Sequence, residues 1–181
     1  PVGVIAGIVP STNPTSTVIY KAMIALKGGN AIVFSPHPGA KKCILETVQV
    51  ISKAACQAGC PKGAISAISV PTMEATQALM KNDRTALILA TGGGAMVKSA
   101  YSSGTPAIGV GAGNGPAFID RSADVKRAVK QILDSKTFDN GTICASEQSI
   151  IVERSMEEKV VEELKAQGAF VLTQEQSRQL G

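Results

Sequence analysis

The stretch TFDNGTICASEQSIIV, Thr137–Val152, sets a single cysteine, Cys144, between a polar turn and an apolar strand-like run. Thiol chemistry needs a thiolate, which a local field of amide N–H groups or a neighbouring cation stabilises. Asp139, Asn140, Gly141, Thr142, Ala145 and Ser146 surround Cys144 with small and polar side chains, an approach that lets a substrate carbonyl reach the sulfur. A cysteine in a loop is nevertheless more often a small buried apolar group. Asn140-Gly141 also spells a plain hairpin turn. The residues alone leave both readings of Cys144 open.

The other candidates are weaker. Cys43 and Cys56 have helix-face spacing and read as apolar filler, and Cys60, before Pro61, reads as a helix-end residue. Cys56 and Cys60 have no second ligand pair, so no metal site is expected. A Cys–His hydrolase would need His37 beside Cys144 with a third group to orient it. His37 instead lies between two prolines after a strand-like run, which reads as a loop position near a nucleotide cleft. Asp139 and Glu147 read as turn or surface groups.

Two glycine-rich stretches invite a nucleotide reading. GVGAGN, Gly109–Asn114, nearly spells G-x-G-x-x-G but is followed by a strand-like run instead of a helix. The helix N-terminus that would hold a pyrophosphate is missing there, so a tight crossover between sheets is the better reading. LILATGGGAMVKSA, Leu87–Ala100, runs from a strand through Thr91-Gly92-Gly93-Gly94 into a helix. Backbone N–H groups and a positive helix end could approach a phosphate there. Close helix–strand packing would need the same small residues, and spacing does not decide between the two.

These residues must be positioned by alternating elements. Strands are expected at Val2–Val9, Ala31–Phe34, Ala64–Val70, Ala86–Ala90, Ala107–Val110, Ala117–Asp120, Ser149–Val152 and Ala169–Leu172. Helices are expected at Thr17–Leu26, Pro38–Ala58, Thr72–Met80, Ala95–Ser102 and near Glu157–Ala166. A further helix carries the stripe Val125, Val129, Ile132 and Leu133, with Ser122 as its N-cap. Strands alternating with helices imply an α/β protein with a doubly wound, mostly parallel, Rossmann-like sheet. GVGAGNGP breaks the alternation, which puts a boundary there, between residues 1–112 and the start of a second α/β domain at residues 113–181.

Composition supports this class. The chain has 181 residues, 44% hydrophobic and 3% aromatic, so its core is built from Val, Ile, Leu and Ala, as in a buried parallel sheet. Its net charge of +4 is scattered, and few aromatics are present for base stacking, which argues against nucleic acid. No apolar run reaches membrane-spanning length and no signal peptide appears. Asn140-Gly141-Thr142 matches a glycosylation sequon, but a reducing intracellular setting is the expectation. The chain opens without Met inside a strand-like segment, so it reads as a piece of something longer.

PSTNPTS (Pro10–Ser16), FSPHP (Phe34–Pro38), LATGGGAMVKSAYSSG (Leu89–Gly104), GVGAGNGP (Gly109–Pro116) and TFDNGTICASEQSII (Thr137–Ile151) occur in this order. Together they closely resemble the CoA-acylating acetaldehyde dehydrogenases of the aldehyde dehydrogenase superfamily, found in bifunctional aldehyde–alcohol dehydrogenases and in bacterial microcompartments. The resemblance implies that Cys144 is the nucleophile and that the Asn13 amide, with the Cys144 N–H, holds the oxyanion. It implies NAD as hydride acceptor and coenzyme A as acyl acceptor. It also implies a nucleotide surface of Pro10, Ser11, Thr12, Ser35, Pro36, His37, Thr91, Gly92, Gly93, Val110 and Gly111.

Hydrolytic relatives carry a glutamate base where this chain has Val110, so the thioester is expected to await CoA. They also carry a lysine where this chain has Ser35, so contacts beside the adenosine ribose must differ. The expected partners are a short aldehyde and CoA, with assembly into a homo-oligomer in the full-length protein. The expected location is the cytoplasm or the inside of a bacterial microcompartment. Two other readings stand beside this one: an inactive fragment or nucleotide-binding module of such an enzyme, and, last, a thiol hydrolase.

Overall fold

A computed structural model describes residues 1–180 and divides the chain into two compact units, Pro1–Ala112 and a second from Gly113 onward. The first unit runs β1 (Val4–Val9), α1 (Pro14–Lys27), β2 (Ala31–Pro36), α2 (Lys41–Gln57), β3 (Ile65–Ala67), α3 (Met73–Met80), β4 (Thr85–Thr91), α4 (Gly94–Tyr101) and β5 (Ala107–Val110). Its five strands are all parallel in the order β3-β2-β1-β4-β5. The chain therefore winds outward from β1, returns past it, and winds the other way from β4. Strand direction and crossovers make β1 and β4 the switch point, where open α/β sheets bind ligands at the carboxyl ends.

Period-two alternation on β1 divides the core. Ile5 and Val9 face α1 and α2, packing with Val18, Ala22, Ala25, Ile44 and Val48, all buried. Ala6 and Ile8 face the other way, with Met80 of α3, Ala100 of α4, Ile88 and Ala90. Each fully buried Val, Ile, Met or Phe side chain contributes on the order of 1.5–3 kcal/mol. Glycine at position 7 is a packing requirement, since a Cβ there would sit 2.8 Å from the Phe34 ring.

The second unit contains β6 (Gly115–Ile119), α5 (Val125–Thr137), β7 (Glu147–Val152), α6 (Glu157–Ala166) and α7 (Gln174–Leu180). β6 and β7 are parallel, which requires the α5 crossover between them. Ile119, Val125, Val129 and Val160 form its core.

Several expectations are corrected. Ala169–Leu172 forms no strand: among the described residues no strand pairs with it, and Phe170, Val171 and Leu172 are exposed. Ser122 does not cap α5. Its N–H and hydroxyl bond Asp120, while Asp124, next to the apolar stripe, accepts from the Arg127 N–H at 3.1 Å. The third strand is only Ile65–Ala67, and α7 has no counterpart in the sequence reading. Cys43 is exposed, so it is not apolar filler, whereas Cys56 and Cys60 are half-buried. No described helix is long and apolar enough to cross a membrane.

Candidate active site and nucleotide surface

Cys144 lies in the loop between α5 and β7. Asp139, Asn140 and Gly141 all take left-handed φ angles, 50°, 53° and 70°, so Asn140-Gly141 is a tightly coiled bend and not a hairpin. Left-handed backbone costs most non-glycine residues about 1–2 kcal/mol, and Asp and Asn are the types that adopt it most readily; here Thr142 holds it. Its hydroxyl is 2.8 Å from the Asp139 carbonyl and 2.7 Å from the Asp139 carboxylate. The Ser146 N–H then donates to the Ile143 carbonyl at 3.0 Å, closing a turn with Cys144 and Ala145 at its tip. Cys144 is exposed, while Ser146 is buried and anchors the turn. Behind the cysteine lies Gly113, where a Cβ would overlap the Cys144 carbonyl. Only glycine lets that backbone pass.

Asn13 is the N-cap residue of α1, yet its side chain caps nothing. Its carbonyl accepts from the Thr17 N–H at 3.2 Å and the Thr17 hydroxyl at 2.7 Å. Its side-chain oxygen accepts from the Thr12 hydroxyl at 3.1 Å. The amide is thus steadied through its oxygen, and its NH2 group has no hydrogen-bond acceptor among the described residues. Pro10 is buried, while Ser11 and Thr12 are exposed on the loop between β1 and α1.

Thr91 ends β4, and Gly92 and Gly93 lead into α4. The Gly92 N–H bonds the Val110 carbonyl at 3.1 Å, while Gly93 is the N-cap and caps with no side chain. The first N–H groups of α4 therefore lack helical acceptors, and no carboxylate sits in its first turn. A Cβ at Gly93 or Gly94 would meet no atom within 4 Å, and both have ordinary φ. The chain's own packing does not require glycine at either position. The open space and the free donors suit a pyrophosphate, the group that the backbone there could approach.

Ser35 and Pro36 are buried at the end of β2, and the Ser35 hydroxyl is 2.7 Å from that of Thr76. They shape the sheet edge from inside, so any nucleotide contact from them would come through the backbone. His37 is exposed, with Nδ1 accepting from the Gly39 N–H at 3.1 Å; it caps a short 3-10 turn. Val110 is 50% exposed and carries no titratable group. Gly111 is half-buried beside Gly92. Among the described residues no group of three or more His, Cys, Asp or Glu could hold a metal ion.

Sequence reasoning missed Lys21, which is buried in α1 with its amine on two main-chain carbonyls. The signal was a lysine inside the stripe Val18, Ala22, Ala25. It also missed the packing duties of Gly109 and Gly113, which involve residues distant in sequence.

The sequence model of the aldehyde dehydrogenase family matches residues 1–177. The chain is 55% identical over 172 residues to the bifunctional aldehyde-alcohol dehydrogenase AdhE of Escherichia coli K12, covering 95% of this chain and 19% of that protein. An acetylating aldehyde dehydrogenase from Geobacillus thermoglucosidasius superposes with a TM-score of 0.89 at 61% identity, over 97% of this chain and 39% of that one. A Rhodopseudomonas palustris propionaldehyde dehydrogenase, solved with bound CoA and an acylated cysteine, gives 0.89 at 35% identity, over 99% and 41%. The chain thus spans about a fifth of the curated relative and about two fifths of each solved one. With nearly all of its length matched, the chain belongs to the aldehyde dehydrogenase family.

Proposed function

We propose that this chain supplies the nucleotide surface and the nucleophile of a longer, NAD-dependent, CoA-acylating aldehyde dehydrogenase acting on acetaldehyde or another short aldehyde. The observation that carries this reading is the Cys144 turn: an exposed thiol at the tip of the Ile143–Ser146 turn, which directly follows the left-handed run Asp139–Gly141. Such strain persists where the surrounding structure over-determines it, as at functional sites.

In this reading the Cys144 thiolate adds to the aldehyde carbon and forms a thiohemiacetal. The Asn13 amide and the Cys144 N–H stabilise the oxyanion. NAD, when bound, supplies the hydride acceptor; the donors at Gly93 and Gly94 and the open space above them would hold its pyrophosphate. Loss of hydride leaves a thioester on Cys144. The CoA thiolate attacks the acyl carbon, releasing Cys144 and forming acyl-CoA. Val110 offers no carboxylate to activate water, which favours CoA over hydrolysis.

Incubating the full-length protein with acetyl-CoA and mapping its cysteines by mass spectrometry tests the reading. Acetylation is expected at Cys144, with none in Cys144→Ser. Acetylation confined to Cys43, the other exposed cysteine, would refute it. Asn13→Ala is expected to lower kcat about a hundred- to a thousandfold, the usual effect of losing one oxyanion donor.

A further inference from the structure

Lys21 is 1% exposed in the middle of α1. Its amine donates to the Ile8 carbonyl at 2.7 Å and to the Leu89 carbonyl at 2.8 Å. Ile8 belongs to β1 and Leu89 to β4, the neighbouring strands of the switch point. Their pairing ends at Ile8↔Ala90. One residue earlier on the helix, the Tyr20 hydroxyl lies 3.3 Å from that of Thr91, the last residue of β4. Two consecutive side chains of α1 thus grip the sheet where the pairing of β1 with β4 stops.

Packing does not explain a lysine here. Burial pushes its pKa from 10.5 down to about 7, a desolvation cost that a methionine of similar volume would not incur. What the amine adds is donors for two carbonyls on adjacent strands. An ammonium has three N–H donors and a neutral amine has two, so both bonds are available in either form. From Leu89 the chain runs straight on through Thr91 to Gly92 and Gly93.

We propose that Lys21, seconded by Tyr20, is a positioning residue for dinucleotide binding: from α1 it cross-braces the carboxyl ends of β1 and β4 and so holds the Thr91-Gly92-Gly93 turn in place. This rests on reading that turn as the pyrophosphate site. The brace touches neither substrate nor cofactor. It acts through the backbone it holds, which fixes where the free N–H groups at the start of α4 point.

The test uses Lys21→Met, Lys21→Gln and Tyr20→Phe in the full-length protein, with NAD affinity measured by calorimetry and KM and kcat measured alongside. Lys21→Met is expected to raise the Kd and KM for NAD at least about tenfold, as for one to two lost hydrogen bonds. Lys21→Gln keeps an amide donor and should show a smaller rise. Tyr20→Phe, on an exposed side chain, should show about two- to threefold, the size of one weak neutral hydrogen bond. At saturating NAD, kcat should stay within about threefold, whereas a merely destabilised protein would lose kcat with KM unchanged. Any folded Lys21 variant with wild-type NAD affinity overturns the brace. If Lys21→Met does not fold, Lys21→Gln decides, and wild-type affinity in it overturns the brace. Failure of the wild-type protein itself to bind NAD would sink the nucleotide reading, and the brace with it.

Discussion

Gly92–Gly94 follows β4 and Gly109–Gly115 begins inside β5 of the same sheet; both are glycine-rich, and they do opposite things with the missing Cβ. In the first run, Cβ atoms at Gly93 and Gly94 would enter empty space. In the second, a Cβ at Gly109 would lie 2.6 Å from a Val97 methyl and 3.0 Å from the Tyr101 ring, and one at Gly113 would overlap the Cys144 carbonyl. Space that the chain fills is a packing device, and space left open beside free N–H groups is room for something else. The motif resembling G-x-G-x-x-G is the filled one, and the run without it is the open one.

The contrast can be broken most sharply at Gly113. Gly113→Ala must displace the Cys144 backbone, and a displacement of about 1 Å at a reacting group typically costs about a hundredfold in rate. Acylation of Cys144 by acetyl-CoA should fall at least that far; an unchanged rate would show that the overlap is relieved without moving the cysteine. Gly109→Ala comes next. Val97 is stiff at χ1, so α4 must shift, at about 1–3 kcal/mol, the usual cost of overpacking. Thermal unfolding would report the loss, with tighter packing at an unchanged midpoint as the contrary result. Gly93→Ala is the smallest in stability, expected within about 0.5 kcal/mol of wild type. It should nevertheless weaken NAD binding about tenfold, because its methyl would occupy the space left open for the pyrophosphate. Unaltered NAD affinity would leave the open turn without a ligand.

Much of the fold was legible in the residues. Apolar runs bounded by helical stripes located the strands of the first sheet, because parallel strands buried on both faces read as continuous Val/Ile/Leu/Ala segments. Ala169–Leu172 has the same appearance, but a strand exists only where another pairs with it, which composition does not reveal. Ser122 and Asp124 are both capping types, and adjacency to the stripe decided for Asp124. Asn140-Gly141 announced a bend, while its three left-handed residues follow from the Thr142 bonds to Asp139. Lys21 was visible as a charge in an apolar stripe. Its carbonyl partners lie on two strands, one of them 68 residues away, and only the fold brings them together.

The most direct measurement is NADH formation from acetaldehyde by the full-length protein, with and without CoA, beside Cys144→Ala. The expected result is turnover that needs both CoA and Cys144, with acetyl-CoA as the product. Equal turnover without CoA would contradict it, because water would then be resolving the thioester.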